Sequence, residues 1–272
     1  MTTNVQQARR GGSHIARLAL LTMLTLTSIG PLLMLVLWSV SGDWFFPAVF
    51  PRSVTLVAWR IPLGASALSS ALVTSLELAF GTAVFSCLVG LPFGKLLSRA
   101  TGWRRHAGAA AAFLPVAAPP LALATGLQVA ALGLGLAGTR PGVLLAHLIP
   151  ATAYLSLLFL GTFTLLDPRP EEAARTLGAS KVQVWWRVTL PQLRRPIGEA
   201  LAIGFLVSWT QFALTLVVGA GAVRTLPLEV FAFVRAGDDR AAAVGALLLV
   251  VPSSLALASL RWAARRTSML PS

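Results

Sequence analysis

The hydrophobic pattern of the chain is blocky rather than alternating. Long apolar runs are separated by shorter segments in which charge collects, and a helix of about 20 apolar residues is what a hydrocarbon core about 30 Å thick requires. Six segments have that length, at about 16 to 40, 66 to 97, 107 to 135, 141 to 166, 196 to 220 and 241 to 262. The pattern predicts an all-α integral membrane protein of six transmembrane helices. Packed neighbours re-satisfy the backbone groups that proline frees inside a bilayer, so Pro92, Pro115, Pro119, Pro120 and Pro150 are expected to bend spans rather than end them. The run after Arg17 is longer than a signal-peptide core and no small-residue cleavage pattern follows it, so it is expected to stay as a first helix despite the Arg9-Arg10 pair before it.

Composition agrees with lipid as the main solvent. The 272 residues are 56% hydrophobic and 11% charged, whereas about a quarter of a soluble domain is charged. A net charge of +13 would otherwise suggest nucleic acid, but the basic residues flank the apolar runs instead of forming a soluble basic face. With the N-terminus inside, the inner segments hold Arg9, Arg10, Arg17, Lys95, Arg99, Arg104, Arg105, Arg169, Arg175, Lys181, Arg187, Arg194, Arg195, Arg261, Arg265 and Arg266. Only Arg52, Arg60, Arg140, Arg224, Arg235 and Arg240 face outward. The positive-inside rule then places both termini in the cytoplasm. Cys87 stands alone within the second run, which excludes an intramolecular disulfide and suggests a packed small side chain.

The chain divides into an inner N-terminal segment (1–15), a membrane domain (16–265) and an inner tail (266–272). Outer loops fall at about 41 to 65, 136 to 140 and 221 to 240, and inner breaks at about 98 to 106 and 167 to 195. The last break lacks the Gly/Ser richness of a flexible linker. Pro170 suits a first helical turn, and Glu171 and Glu172 sit where the helix dipole favours negative charge. Gly178 can close that helix, and Ser180 can cap a second one running toward Pro191, with Trp185 and Trp186 at the membrane surface. Two short helices hinged at Gly178 are expected.

The spacing within this break is specific. Glu172-Ala173-Ala174, three residues, Gly178, nine residues, then Val188-Thr189-Leu190-Pro191 resembles the EAA loop of permease subunits of binding-protein-dependent ATP-binding-cassette (ABC) importers, with Val188 in place of the family's isoleucine. The run Ser208-Trp209-Thr210-Gln211-Phe212 with Thr215 and Gly219, then Thr225-Leu226-Pro227 and Gly237-Asp238-Asp239, is similar to the last third of permeases of the spermidine/putrescine, ferric-iron and thiamine group. The likeness covers roughly residues 60 to 262. It implies a type I importer (MetI-like) permease fold in the bacterial inner membrane, with coupling to an ATPase through Glu172, Ala173, Ala174, Gly178, Leu190 and Pro191. It also implies two ATPase subunits, a second permease that is related or identical, and an extracytoplasmic substrate-binding protein. ATP and Mg would belong to the ATPase, leaving this chain a transport subunit without cofactor, metal or catalytic residue.

Candidates for the substrate path come from polar residues inside the runs. An intramembrane carboxylate is a functional hypothesis by default, and Glu77 shares a helix face with Ser70, Thr74 and Gly81. The fifth run repeats the geometry in Gly204, Ser208, Gln211 and Thr215, and Gln128 is a further candidate in the third. Small and hydrogen-bonding residues are also the usual glue between membrane helices. His147 and Tyr154 read as packing residues, and Glu199 as the ion-pair partner of Arg195. An alternative reading is an ATPase-independent membrane enzyme or lipid-handling protein that uses Glu77 for acid-base work. Two decoys are set aside. Gly133, Gly135 and Gly138 lack the strand-turn-helix setting of a dinucleotide site, and Gly90 to Lys95 is one residue short of a phosphate loop and continues with Leu96.

Overall fold

The computed structural model describes residues 2–42, 44, 48, 50–61, 64 and 66–265, with side chains described between 17 and 258. The tail 266–272, with Arg266, lies outside the described residues. Among the described residues four helices are long and apolar enough to cross a membrane. These are α1 (Thr2–Ser39), α2 (Ala67–Arg99), α5 (Arg140–Leu165) and α11 (Asp239–Arg265). Among the described residues the only β pairing is an isolated bridge between Ser41 and Val54.

The predicted third and fifth spans differ from a straight helix. The third is two helices, α3 (Gly102–Ala117) and α4 (Pro120–Gly133), bent by 101°; counted as one broken span, they raise the candidate spans to five. Pro119 and Pro120 end one helix and start the next rather than bend a continuous one. Ala118 before Pro119 is forced out of the helical region, at ψ 137°, by contact with the proline ring, and Pro120 then opens α4 where its missing N–H costs nothing. Pro92, Pro115 and Pro150 do stay within helices, as do Pro196 and Pro252.

The fifth run begins earlier than expected and stops earlier. From Ser180 the chain is helical through α7 (Lys181–Val184), a π-helical turn (Trp185–Thr189) and α8 (Leu190–Trp209), so this helix passes through Pro191 instead of ending there. The π turn has a local cause. Proline at 191 offers no N–H to the carbonyl of Arg187, and its ring crowds that carbonyl. The backbone opens just upstream, where Leu190 N–H donates to the carbonyl of Trp185, five residues back. After Trp209 the chain turns over Thr210, Gln211 and Phe212 before α9 (Ala213–Val218).

The core is built on α2, which packs most closely on α5. Gly90 and Gly94 face α5, and a Cβ at Gly94 would lie 2.5 Å from Phe159 Cβ and 2.8 Å from the Leu160 nitrogen. The Gly90-x-x-x-Gly94 pair is therefore the close-approach motif of membrane helices, which accounts for the glycines that sequence pattern alone likened to a phosphate loop. Gly204 on α8 meets α2 in the same way, with a hypothetical Cβ 3.0 Å from Ala83 and from Ser86 Oγ. Phe205 and Trp209 stack with centroids 5.5 Å apart, and Trp209 Nε1 donates to the Leu249 carbonyl of α11 at 3.0 Å. A helix α10 (Leu226–Ala236) occupies the segment between α9 and α11; its first N–H, on Leu226, donates to Ser75 Oγ of α2 at 2.7 Å, and Gly237 closes it at φ 72°. Cys87 is buried in the α2–α5 core.

Candidate functional site

Two regions gather the residues that sequence analysis singled out. The first is the break between α5 and the π turn. Helix α6 (Arg169–Thr176) starts at Pro168 with Glu171 and Glu172 in its first turn and Arg175 in its last, charges that complement the helix dipole at both ends. Gly178 sits at φ 85°. Its N–H donates to the Arg175 carbonyl and that of Ala179 to the Ala174 carbonyl, the hydrogen-bond pattern of a Schellman cap. No heavy atom lies within 4 Å of a Cβ placed on Gly178, so glycine is required for backbone conformation rather than for space. Ser180 then caps α7 in a reciprocal box with Gln183.

Helix α6 contains no buried residue. Glu172, Ala173, Leu177 and Gly178 are exposed, Ala174 is half-buried, and Leu177 is 89% exposed at the tip. Leu190 is half-buried and Pro191 exposed at the start of α8. A shallow groove between α6 and α7 is lined by Ala174, Leu177, Gly178, Gln183, Val184 and Arg187. The residue that faces inward is Glu171, beside the motif and absent from the candidates drawn from sequence. Its carboxylate accepts a short hydrogen bond from Thr189 Oγ1 of the π turn, lies 3.6 Å from Arg175 Nη2 and 3.9 Å from Arg99 Nη2 at the end of α2. Beside it Lys95 Nζ lies 4.6 Å from the Trp185 ring centroid and 5.4 Å from that of Phe163, two cation–π contacts. Trp186 is exposed, and Arg195 pairs with Glu199 at 3.0 Å as the spacing suggested.

The second region lies where the two broken helices meet. Half-helices α4 and α9 run together, with Ala124, Ala131, Leu214 and Val218 in one core. At the level of both breaks a cavity is lined by residues including Pro115, Ala118, Pro120, Tyr154 and Gln211. Non-helical backbone at membrane depth is tolerated where it is buried in protein or lines a cavity. Tyr154, read from sequence as a packing residue, is 42% exposed and borders this space.

The other path candidates are distributed differently. Ser208 and Thr215 are buried, and both bond His147 of α5: Nδ1 to Ser208 Oγ at 2.8 Å and Nε2 to Thr215 Oγ1 at 2.9 Å. One hydroxyl is on α8 and the other on α9, so His147 braces the break between them. A neutral imidazole donates from one nitrogen and accepts at the other, and two hydroxyls serve either tautomer. Replacing His147 with Leu is expected to lower stability by about 1–2 kcal/mol, with His147→Gln less affected because it keeps a donor and an acceptor; thermal unfolding in detergent measures both. Thr74 is buried, and the Gln128 Oε1 atom is buried with no hydrogen-bond partner. Glu77 is half-exposed and bonded to Arg140 Nη1 of α5 at 2.8 Å, a pairing between residues 63 positions apart that fastens two helices. Glu229, not foreseen as a partner, is buried with its carboxylate 3.1 Å from Arg224 Nη1.

With this geometry in hand, the comparison with known proteins is decisive. Residues 86–269 match the family described as the binding-protein-dependent transport system inner membrane component. The chain belongs to that family. Among relatives, it is 31% identical over 201 residues to the molybdenum transport system permease protein ModB of Mycobacterium tuberculosis, covering 68% of this chain and 76% of that protein. It is 24% identical over 193 residues to the spermidine/putrescine transport system permease protein PotC of Haemophilus influenzae, covering 71% and 75%. A solved bacterial alginate ABC transporter, in complex with an alginate-pentasaccharide-bound periplasmic protein, has a chain that superposes with a TM-score of 0.70 at 15% identity, covering 98% of this chain and 99% of that one. That likeness carries the fold.

The protein is thus a permease subunit of an ABC importer, a transport protein of the inner membrane rather than an enzyme. The alternative of an enzyme using Glu77 finds no support in the family or in the carboxylate's pairing with Arg140.

Proposed function

We propose that the chain crosses the membrane six times with both termini in the cytoplasm, the pairs α3–α4 and α8–α9 each forming one broken crossing. On that reading α6 projects on the side where ATP is available. Its exposed Glu172 and Ala173, with Ala174, Leu177 and Gly178, form the knob that enters a groove on a partner ATPase, a helix-in-groove contact. Leu190 and Pro191 set the start of the helix that carries the movement inward. Two ATPase subunits would hold ATP and Mg, a second permease would complete the path, and a binding protein would deliver substrate to the outer loops around α10. Closure of the ATPase pair favours one of two arrangements of the helices, and the cavity at the paired breaks, bordered by Gln211 and Tyr154, changes sides. The observation that carries this reading is that α6 is a capped helix without a buried residue, displayed by a membrane domain of importer type.

The substrate class follows from charge. The two relatives above are named for molybdenum and for polyamines, which as molybdate and ammonium ions have opposite signs. Of the outer-half carboxylates, Glu77 and Glu229 each hold an arginine, at 2.8 and 3.1 Å, and Asp238 Oδ1 accepts from the Ala241 N–H at the start of α11. That neutralisation favours an oxyanion of the molybdate type. The test is to purify the chain from its native membrane, identify what accompanies it, and measure ATP hydrolysis with the accompanying binding protein. An ATPase and a binding protein are expected, with hydrolysis stimulated by molybdate. Stimulation by spermidine alone would reverse the substrate assignment, and a chain that emerges without an ATPase would defeat the coupling.

A further inference from the structure

Helix α6 presents a mechanical problem. It buries none of its residues, yet on the coupling reading it must pass a displacement to the helices of the membrane domain. A helix resting on its surface contacts alone would swivel about Gly178 at one end and Pro168 at the other. Glu171 is the charged side chain of α6 that is turned inward, at 14% exposure, and its carboxylate engages three elements at once. Arg175 fixes it to its own helix, Arg99 to the inner end of α2, and Thr189 to the π turn that leads into α8. Thr189 is itself 1% exposed, so its hydroxyl has no solvent alternative.

We propose that Glu171 is the positioning residue that transmits the motion of the coupling helix to α2 and α8, distinct from the neighbouring Glu172, which faces the partner. The inference rests on the coupling reading above and deepens it. The carboxylate acts as a strut: pushing or tilting α6 moves the oxygen atoms that hold Arg99 and Thr189. Because α2 is the helix on which α5 and α8 both pack, through Gly90, Gly94 and Gly204, displacement of its inner end is shared by the core. The π turn is a suitable receiver, since its backbone already departs from regular α-helical bonding and such turns are frequent at functional sites.

The expected phenotype separates docking from transmission. In the full importer complex, Glu171→Ala and Thr189→Val keep the ATPase bound at the yield of the unmodified complex and keep hydrolysing ATP. What they lose is the ATP-driven change at the cavity. Hydrogen bonds to a charged group are worth enough to bias a two-state equilibrium by about tenfold or more, so the ATP-dependent change is expected to fall by that factor. The probe is a single reporter, Gln211→Cys, on a Cys87→Ala background, with its rate of maleimide labelling measured with and without ATP and vanadate. Thr189→Ser keeps the hydroxyl and restores the response, which a purely steric role for Thr189 would not require.

Labelling changes in Glu171→Ala and Thr189→Val equal to those of the parent, with ATPase retained, would overturn the proposal. So would loss of the ATPase from both variants, which would place Glu171 in the dock. If the unmodified chain itself shows no ATPase and no response to ATP, the coupling reading fails first, and the transmission role fails with it.

Discussion

Reversing the charge of Glu172 to lysine is expected to release the partner ATPase while leaving the permease folded. Glu172 is exposed in the first turn of α6 and makes no side-chain contact that the membrane domain depends on. A lysine there opposes the helix dipole, which costs about 0.3–1 kcal/mol at an exposed site. That is too little to unfold a domain whose core lies along α2, α5 and α8. At an interface the same change removes a charge whose partner is left desolvated, and such losses run to about 2–5 kcal/mol, thirtyfold or more in Kd. Titrating the ATPase onto permease reconstituted in nanodiscs measures this directly. A Kd within threefold of the parent would remove Glu172 from the contact. Co-purification of the same variant gives an independent reading, since weakening of that size strips a subunit during washing.

The largest expected effect on stability comes from Gly94→Leu. The two nearest obstacles to its new side chain are Phe159 Cβ and the Leu160 backbone nitrogen, at 2.5 and 2.8 Å from the first added atom. Backbone atoms cannot step aside by changing rotamer, so α2 and α5 must separate along the contact that Gly90 extends. Overpacking of a core costs about 1–3 kcal/mol and occasionally more, and a clash with backbone belongs at or above the top of that range. Thermal unfolding in detergent, or the folded fraction on size-exclusion chromatography, measures the loss. Gly161→Leu on α5 is the control, because nothing lies within 4 Å of its added Cβ and leucine is a better helix former than glycine. Equal stability of the two variants would mean that the helices do not approach as closely as described.

Local chemistry made part of this architecture readable from sequence. Pro170, Gly178 and Ser180 act within one turn of where they stand, so the short helix α6, its glycine cap and the Ser180 cap after it followed from residue identity, whereas the second helix ran on through Pro191 instead of staying short. Four of the apolar runs became long apolar helices for the same reason. The departures come from contacts between distant positions or from choosing between two uses of one residue. Pro119 and Pro120 ended a helix because two successive prolines remove two donors and hold Ala118 extended, whereas the isolated Pro115 and Pro150 were absorbed. The break after Trp209 has no proline or glycine to announce it; it is braced by His147, which is 61 and 68 positions from its partners. Glu77 looked like a lone acid until Arg140 was placed beside it. Glu171 reads in sequence only as a charge favoured by the helix dipole, and the folded arrangement shows which of two adjacent carboxylates turns inward.

The π turn at Trp185–Thr189 gives the long motif a meaning in angular terms. Each residue of an α-helix advances the chain by about 100°, and the turn accommodates one extra residue without breaking the axis that runs from α7 into α8. Adding or deleting a single residue there would rotate α8 by roughly that angle relative to α6. Ser208 would then swing off His147 while Thr189 swung off Glu171. On the proposed coupling, the nine-residue interval between Gly178 and Val188 is therefore a phase setting: it aligns the face α6 would offer an ATPase with the face of α8 that closes the membrane core.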